Sequence, residues 1–172
     1  LGTTEAQFPD ECKKLISDYD FTYTELSKEE RDSTILHVIR SLNRELEVSG
    51  QHRQQRWEDG WSENLNEFIR ANYDLKMLVP KFVKLNEVIR YNGNYVQPIS
   101  PEFETQFVSV LRTYIIHHLF VSVDNVYEYG CGTAHNLVEF CSHYPEKTYY
   151  GLDWAVASQK IINLLREKLG MN

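Results

Sequence analysis

Cysteine is scarce in this 172-residue chain, and the three copies, Cys12, Cys131 and Cys141, are odd in number and widely spaced. Such a set is not a disulfide framework and points to a reducing, cytoplasmic compartment. Basic charge is also short: 18 Lys and Arg face 25 Asp and Glu, a net charge of -7. A phosphate backbone calls for a basic face, so no nucleic acid is expected as a partner. Long apolar runs are lacking too. The greasiest stretch, Tyr114 to Val123, is broken by His117, His118 and Ser122 and is too short and polar to span a bilayer. No charged-then-apolar signal segment opens the chain, and no membrane association is expected. There is no internal repeat and no low-complexity tract.

What is present suits an ordinary folded domain. Hydrophobic residues make up 42% and charged residues 25%, which provides a core and excludes wholesale disorder. Aromatics reach 13%, with 11 tyrosines, enough for a bulky core or a sticky concave surface.

Local patterns divide the chain near residue 120. The start, to about Asp20, is weakly patterned. Ser27 followed by Glu30 forms a capping box, and Ile35, Leu36, Ile39, Leu42 and Leu46 behind it share one helix face. Ser49-Gly50 ends that helix. Gln51 to Trp61 is polar, and a second helix is expected from Ser62, with Leu65, Phe68 and Ile69 inward. Pro80 interrupts Leu75 to Val83. Val88 to Tyr91 and Asn94 to Val96 flank Asn92-Gly93, a hairpin signal. Ser100-Pro101-Glu102 opens a further helix, with Phe103, Phe107, Val110, Leu111, Tyr114 and Ile115 on its apolar face. Then come a strand at Val121 to Tyr129, a helix at Thr133 to Ser142, a strand at Thr148 to Leu152 and a helix at Trp154 to Leu169, stopped by Gly170. Strand, helix, strand, helix implies a parallel crossover unit.

One segment carries chemistry. Gly130-Cys131-Gly132 turns from strand to helix, where a ligand can lie against bare backbone. Asp153 ends the next strand, about the spacing at which a nucleotide fold keeps an acid for ribose hydroxyls. A dinucleotide site wants a small residue three positions after the second glycine; His135 stands there. Glu128, two residues before the first glycine, repels a diphosphate but suits an ammonium group. S-adenosylmethionine has an ammonium, a sulfonium, a ribose and no phosphate.

Glu128-x-Gly130-x-Gly132, followed by Gly151-Leu152-Asp153, resembles the first two motifs of class I S-adenosylmethionine-dependent methyltransferases. Ala134 stands where that family often has a third glycine. The resemblance covers about Val123 to Gly170. It implies that Glu128 faces the methionine amino group and that Gly130, Cys131 and Gly132 run along the methionine and ribose. It also implies that Asp153 holds the ribose hydroxyls and that Trp154 lies near the adenine. The expected fold class is therefore α/β: residues 1–120 form a helical region with a β-hairpin, serving as lid, substrate wall or dimer surface. Residues 121–172 form the first βαβα half of a Rossmann-like domain with an incomplete sheet. The family continues with further strands, so the chain is expected to be an inactive fragment whose open sheet edges favour a homodimer or domain-swapped assembly. Methyl transfer to a small-molecule acceptor is the expected activity; a cofactor-binding or interaction module without chemistry and an NAD-dependent oxidoreductase are the alternatives.

Plainer roles stand beside these. Gly-x-Gly can be only a tight turn, and Asp153 can cap the last helix. Trp57 and Trp61 read as packing anchors. His117 and His118 point to different helix faces and make a poor pair for a metal, so no metal site is expected. No residue stands out as a general base; Tyr91, Tyr95 and His117 are the weak candidates.

Overall fold

The computed structural model describes residues 4–43, 53–81 and 87–171. Among them are six α-helices, a sheet of three antiparallel strands and a pair of parallel strands. The chain is thus mixed α/β, and no described helix is long and apolar enough to cross a membrane.

Helix α1 (Asp10–Asp18) precedes a short strand, β1 (Tyr23–Glu25). Helix α2 (Lys28–Leu42) begins at the expected capping box: the Ser27 hydroxyl accepts from the Glu30 N–H, and the Glu30 carboxylate accepts from the Ser27 N–H. Its apolar face is not buried, however; Ile35, Leu36, Ile39 and Leu42 are all exposed. Leu46 and the expected stop at Ser49-Gly50 lie outside the described residues.

Helix α3 runs from Gln54 to Arg70, so it starts eight residues before Ser62, and Ser62 is internal. The stripe that fixes it is Trp57, Trp61, Leu65 and Phe68, spaced four, four and three apart. Ile69, expected inward, is exposed because at about 100° per residue it falls roughly a quarter-turn from the stripe's centre near Trp61 and Phe68. A 3₁₀ turn, Leu75–Leu78, follows and is tied back by the buried Asn64, whose Nδ2 donates to the carbonyls of Met77 and Val79. Pro80 comes just after the turn; Val83 lies outside the described residues.

The Asn92-Gly93 hairpin forms as the sequence implies, joining β2 (Ile89–Tyr91) to β3 (Asn94–Pro98), with Asn92 at φ 47° and Gly93 at φ 82°. The sequence gives no hint of its third strand. β1 pairs antiparallel with β3, Thr24 opposite Gln97, and three exposed residues are too short a run to show alternation.

Helix α4 (Phe103–Ile115) starts later than expected. Ser100-Pro101-Glu102 is a turn before it, in which the Glu102 N–H donates to the Ser100 hydroxyl. The helix passes into a π-helical turn, Ile116–Phe120, and a turn at residues 121 and 122 then occupies the start of the stretch expected as strand. The parallel strand β4 is therefore only Asn125–Tyr129. Helix α5 (His135–His143), strand β5 (Thr148–Leu152) and helix α6 (Val156–Leu169) follow, with Gly170 as a left-handed stop at φ 65°. β4 and β5 run in parallel register, Glu128 opposite Gly151.

Alternation decides the two faces of this pair. Val126 and Glu128 turn inward, while Tyr127, Tyr129, Tyr150 and Leu152 are exposed outside, with the Tyr127 and Tyr150 rings stacked 4.5 Å apart. The inner face shares one core with α3: Trp61, Leu65, Phe68 and Leu78 pack with Val126, Leu137, Ile161 and Leu165. Each such side chain contributes about 1.5–3 kcal/mol when fully buried. That core fixes α3 against the turn that follows β4.

Candidate functional site

The turn after β4 is shaped by its backbone. Gly130, Gly132 and Ala134 take positive φ angles of 71°, 54° and 59°. Ala134 thus adopts the left-handed conformation a glycine adopts freely, at a cost of about 1–2 kcal/mol. At Gly132 a second constraint applies. A Cβ there would meet the Trp61 indole at 3.0 Å, so the ring of α3 lies directly on the backbone of the turn.

Asp153 ties the turn to the end of β5. One carboxylate oxygen accepts the Gly132 N–H at 2.8 Å and the other accepts the Ala155 N–H at 2.8 Å. The second bond closes the entry to α6, so the expected capping role is partly realised, just outside the helix. Each oxygen keeps a further lone pair. The N–H groups of Val156 and Ala157, in the first turn of α6, instead donate to Glu58 of α3, at 2.9 and 3.0 Å.

Glu128 stands at the head of a polar relay. Its Oε1 accepts from Asn136 Nδ2 at 2.7 Å, and Asn136 Oδ1 accepts from Arg112 Nη1 at 2.9 Å. Arg112 Nε lies 2.6 Å from Glu139, whose other oxygen accepts from the Ser109 hydroxyl. The second oxygen of Glu128, Oε2, is buried with no hydrogen-bond partner among the described residues. Burial pushes the Glu128 carboxyl above its usual range, against the Asn136 bond and Arg112, which lower it; the Asp153 charge adds to the rise. A buried acceptor left open in this way costs about 1–3 kcal/mol.

All six residues singled out in the sequence, Glu128, Gly130, Cys131, Gly132, Asp153 and Trp154, line one cleft of about 530 Å³. Trp57 and Trp61 form part of its wall, so the tryptophans bound the cleft as well as packing. Its charge is mostly negative: Glu104, Glu128 and Asp153 face one guanidinium, Arg112. His135 adds no charge near neutral pH, because burial and then Arg112 push it down to about 4. Cys131 stays a thiol, pushed up to about 12 by burial and by the charges of Asp153 and Glu128. It is therefore no nucleophile at neutral pH.

The three weak candidates for a general base do not line the cleft. Tyr91 packs edge-on against Tyr23, Phe103 and Phe107, Tyr95 lies on β3, and His117 pairs with Glu11. Sequence reasoning missed Arg112 and Asn136. Arg112 had a signal, a lone cation within the apolar run of α4 between Leu111 and Thr113; Asn136 had none beyond its place after the glycine turn. Comparison with protein-family models, curated proteins and solved structures finds no match.

Proposed function

We propose that this cleft is the S-adenosylmethionine site of a class I methyltransferase, within a Rossmann-like unit that begins at β4. The observation that carries the reading is the orphaned, buried Glu128 Oε2 in a cleft of net negative charge. A carboxylate held there without a partner is suited to a ligand ammonium, which would restore a charge-assisted hydrogen bond. Arg112, beside it, is suited to the carboxylate of the same amino-acid end. The free lone pairs of Asp153 would accept from ribose hydroxyls. The exposed Trp154 indole, on the cleft wall, would cover the adenine. A diphosphate fits poorly against three carboxylates, which disfavours a dinucleotide.

When bound, S-adenosylmethionine supplies an activated methyl group for displacement by a nucleophile. The chain's own part is to align and to exclude water. Trp57, Trp61 and Val108 give the cleft an apolar wall, against which a small-molecule acceptor would lie. Neither Cys131 nor His135 carries a charge there near neutral pH, so the proposal assigns neither of them a proton transfer.

Isothermal titration tests the reading. S-adenosylhomocysteine is expected to bind and NAD is not, with binding abolished by Asp153→Ala and by Gly130→Trp, which fills the cleft. Tight NAD binding, or binding unaffected by both substitutions, overturns it.

A further inference from the structure

A second cluster of chemistry-bearing side chains lies outside the cleft. Glu11 projects from α1, His117 from the π-helical turn after α4, and His143 from the last residue of α5. His117 Nε2 is 2.9 Å and His143 Nδ1 is 3.6 Å from the same oxygen, Glu11 Oε2. The three donor atoms all lie within 4.8 Å of one another. None of these residues lines the cleft described above.

The adjacent His118 is directed elsewhere. Its ring stacks on Tyr114 at 4.1 Å, and its Nδ1 lies 2.9 Å from the Tyr114 carbonyl. The expectation that His117 and His118 do not act as a pair thus agrees with this geometry. The partners of His117 come instead from positions 106 and 26 residues away in the chain, which no local spacing displays. A π-helical turn is uncommon, and such turns recur at functional sites because they re-aim side chains.

We infer that Glu11, His117 and His143 form a zinc site. Two imidazoles and a carboxylate are a familiar donor set for this borderline-soft cation, and three protein ligands leave a fourth position for water. A tetrahedral zinc with bonds of about 2.0–2.1 Å sets its ligand atoms roughly 3.3 Å apart. The two carboxylate–imidazole separations, 2.9 and 3.6 Å, bracket that value. The imidazole–imidazole separation closes by about 1.5 Å at most, within reach of side-chain torsions. All three side chains are partly exposed, which leaves an entry path. The convergence of two ring nitrogens on one carboxylate oxygen sets all three donors around a common point. The bound ion would staple α1 to the ends of α4 and α5.

Titration of the 172-residue chain with zinc chloride, and absorption with Co²⁺ as probe, tests the site. One zinc per chain is expected, with a tetrahedral cobalt spectrum free of thiolate charge-transfer bands and a melting temperature raised by zinc. His117→Ala and His143→Ala should each weaken binding by more than the roughly 10–100-fold that losing an outer partner of a ligand costs. His118→Ala should leave binding unchanged. His143→Gln, which keeps size and hydrogen bonding, serves if the alanine variant fails to fold. The inference is overturned if wild type binds no zinc, if it binds through thiolates, or if folded His117 and His143 variants bind as wild type does.

Discussion

At the scale of single residues, the cleft combines groups whose environments work against their charged forms. Glu128 is held above its usual range by burial, and His135 is held down to about 4 by burial and Arg112. His135 therefore favours folding when neutral. Its contribution is complete above its ordinary value of 6.5 and is lost as pH falls toward about 4. Urea unfolding between pH 7 and pH 4 checks this. Wild type should lose stability relative to His135→Gln as the pH drops, and parallel profiles would contradict it. The residues behind this electrostatics were unevenly legible. Glu128, the glycines and Asp153 announce themselves because the turn and the acids lie close in sequence. Arg112 shows only as a lone cation in an apolar run and Asn136 not at all, because their value lies in a relay joining α4, α5 and β4.

At the scale of elements, the sequence reads best where the signal is local. The capping box of α2 and the Asn92-Gly93 hairpin follow from a few neighbouring residues. The start of α3 differs from the expected one because Trp57 and Trp61 sit among polar residues, yet they continue the helix's apolar stripe, Trp61 buried and Trp57 exposed. Strand β1 and the π-helical turn were invisible because long-range pairing and a changed helical period leave no short pattern. Glu58 shows the same principle. Its carboxylate caps α6 from α3, so its role needs the tertiary fold. Glu58→Ala should cost about 1–2 kcal/mol, the range for a lost charged cap. Urea unfolding at pH 7 measures it, and an unchanged midpoint would show that water replaces the carboxylate without loss.

At the scale of the whole molecule, two apolar surfaces remain uncovered among the described residues. One is the α2 face; the other is the outer face of β4 and β5, where Tyr127, Tyr129, Tyr150 and Leu152 are exposed. A two-stranded sheet also leaves hydrogen-bonding groups open along its edges. The self-association expected from the sequence would cover these edges and faces. Light scattering across a concentration series should show dimers in wild type and monomers after Tyr127→Glu with Tyr150→Glu. A wild-type monomer throughout would contradict it.

At this scale too lies the reason that the cleft tolerates an unfavourable carboxylate. The core shared by α3, β4, α5 and α6 holds the turn in place, so Glu128 can stand open to a ligand at a cost the fold absorbs. Calorimetric titration of S-adenosylhomocysteine into wild type and Glu128→Gln, with the melting temperature of each at pH 7, tests this most directly. The account predicts that wild type binds, that Glu128→Gln loses binding, and that the variant melts no lower than wild type. A variant that binds as well as wild type, or a wild type that does not bind, contradicts it.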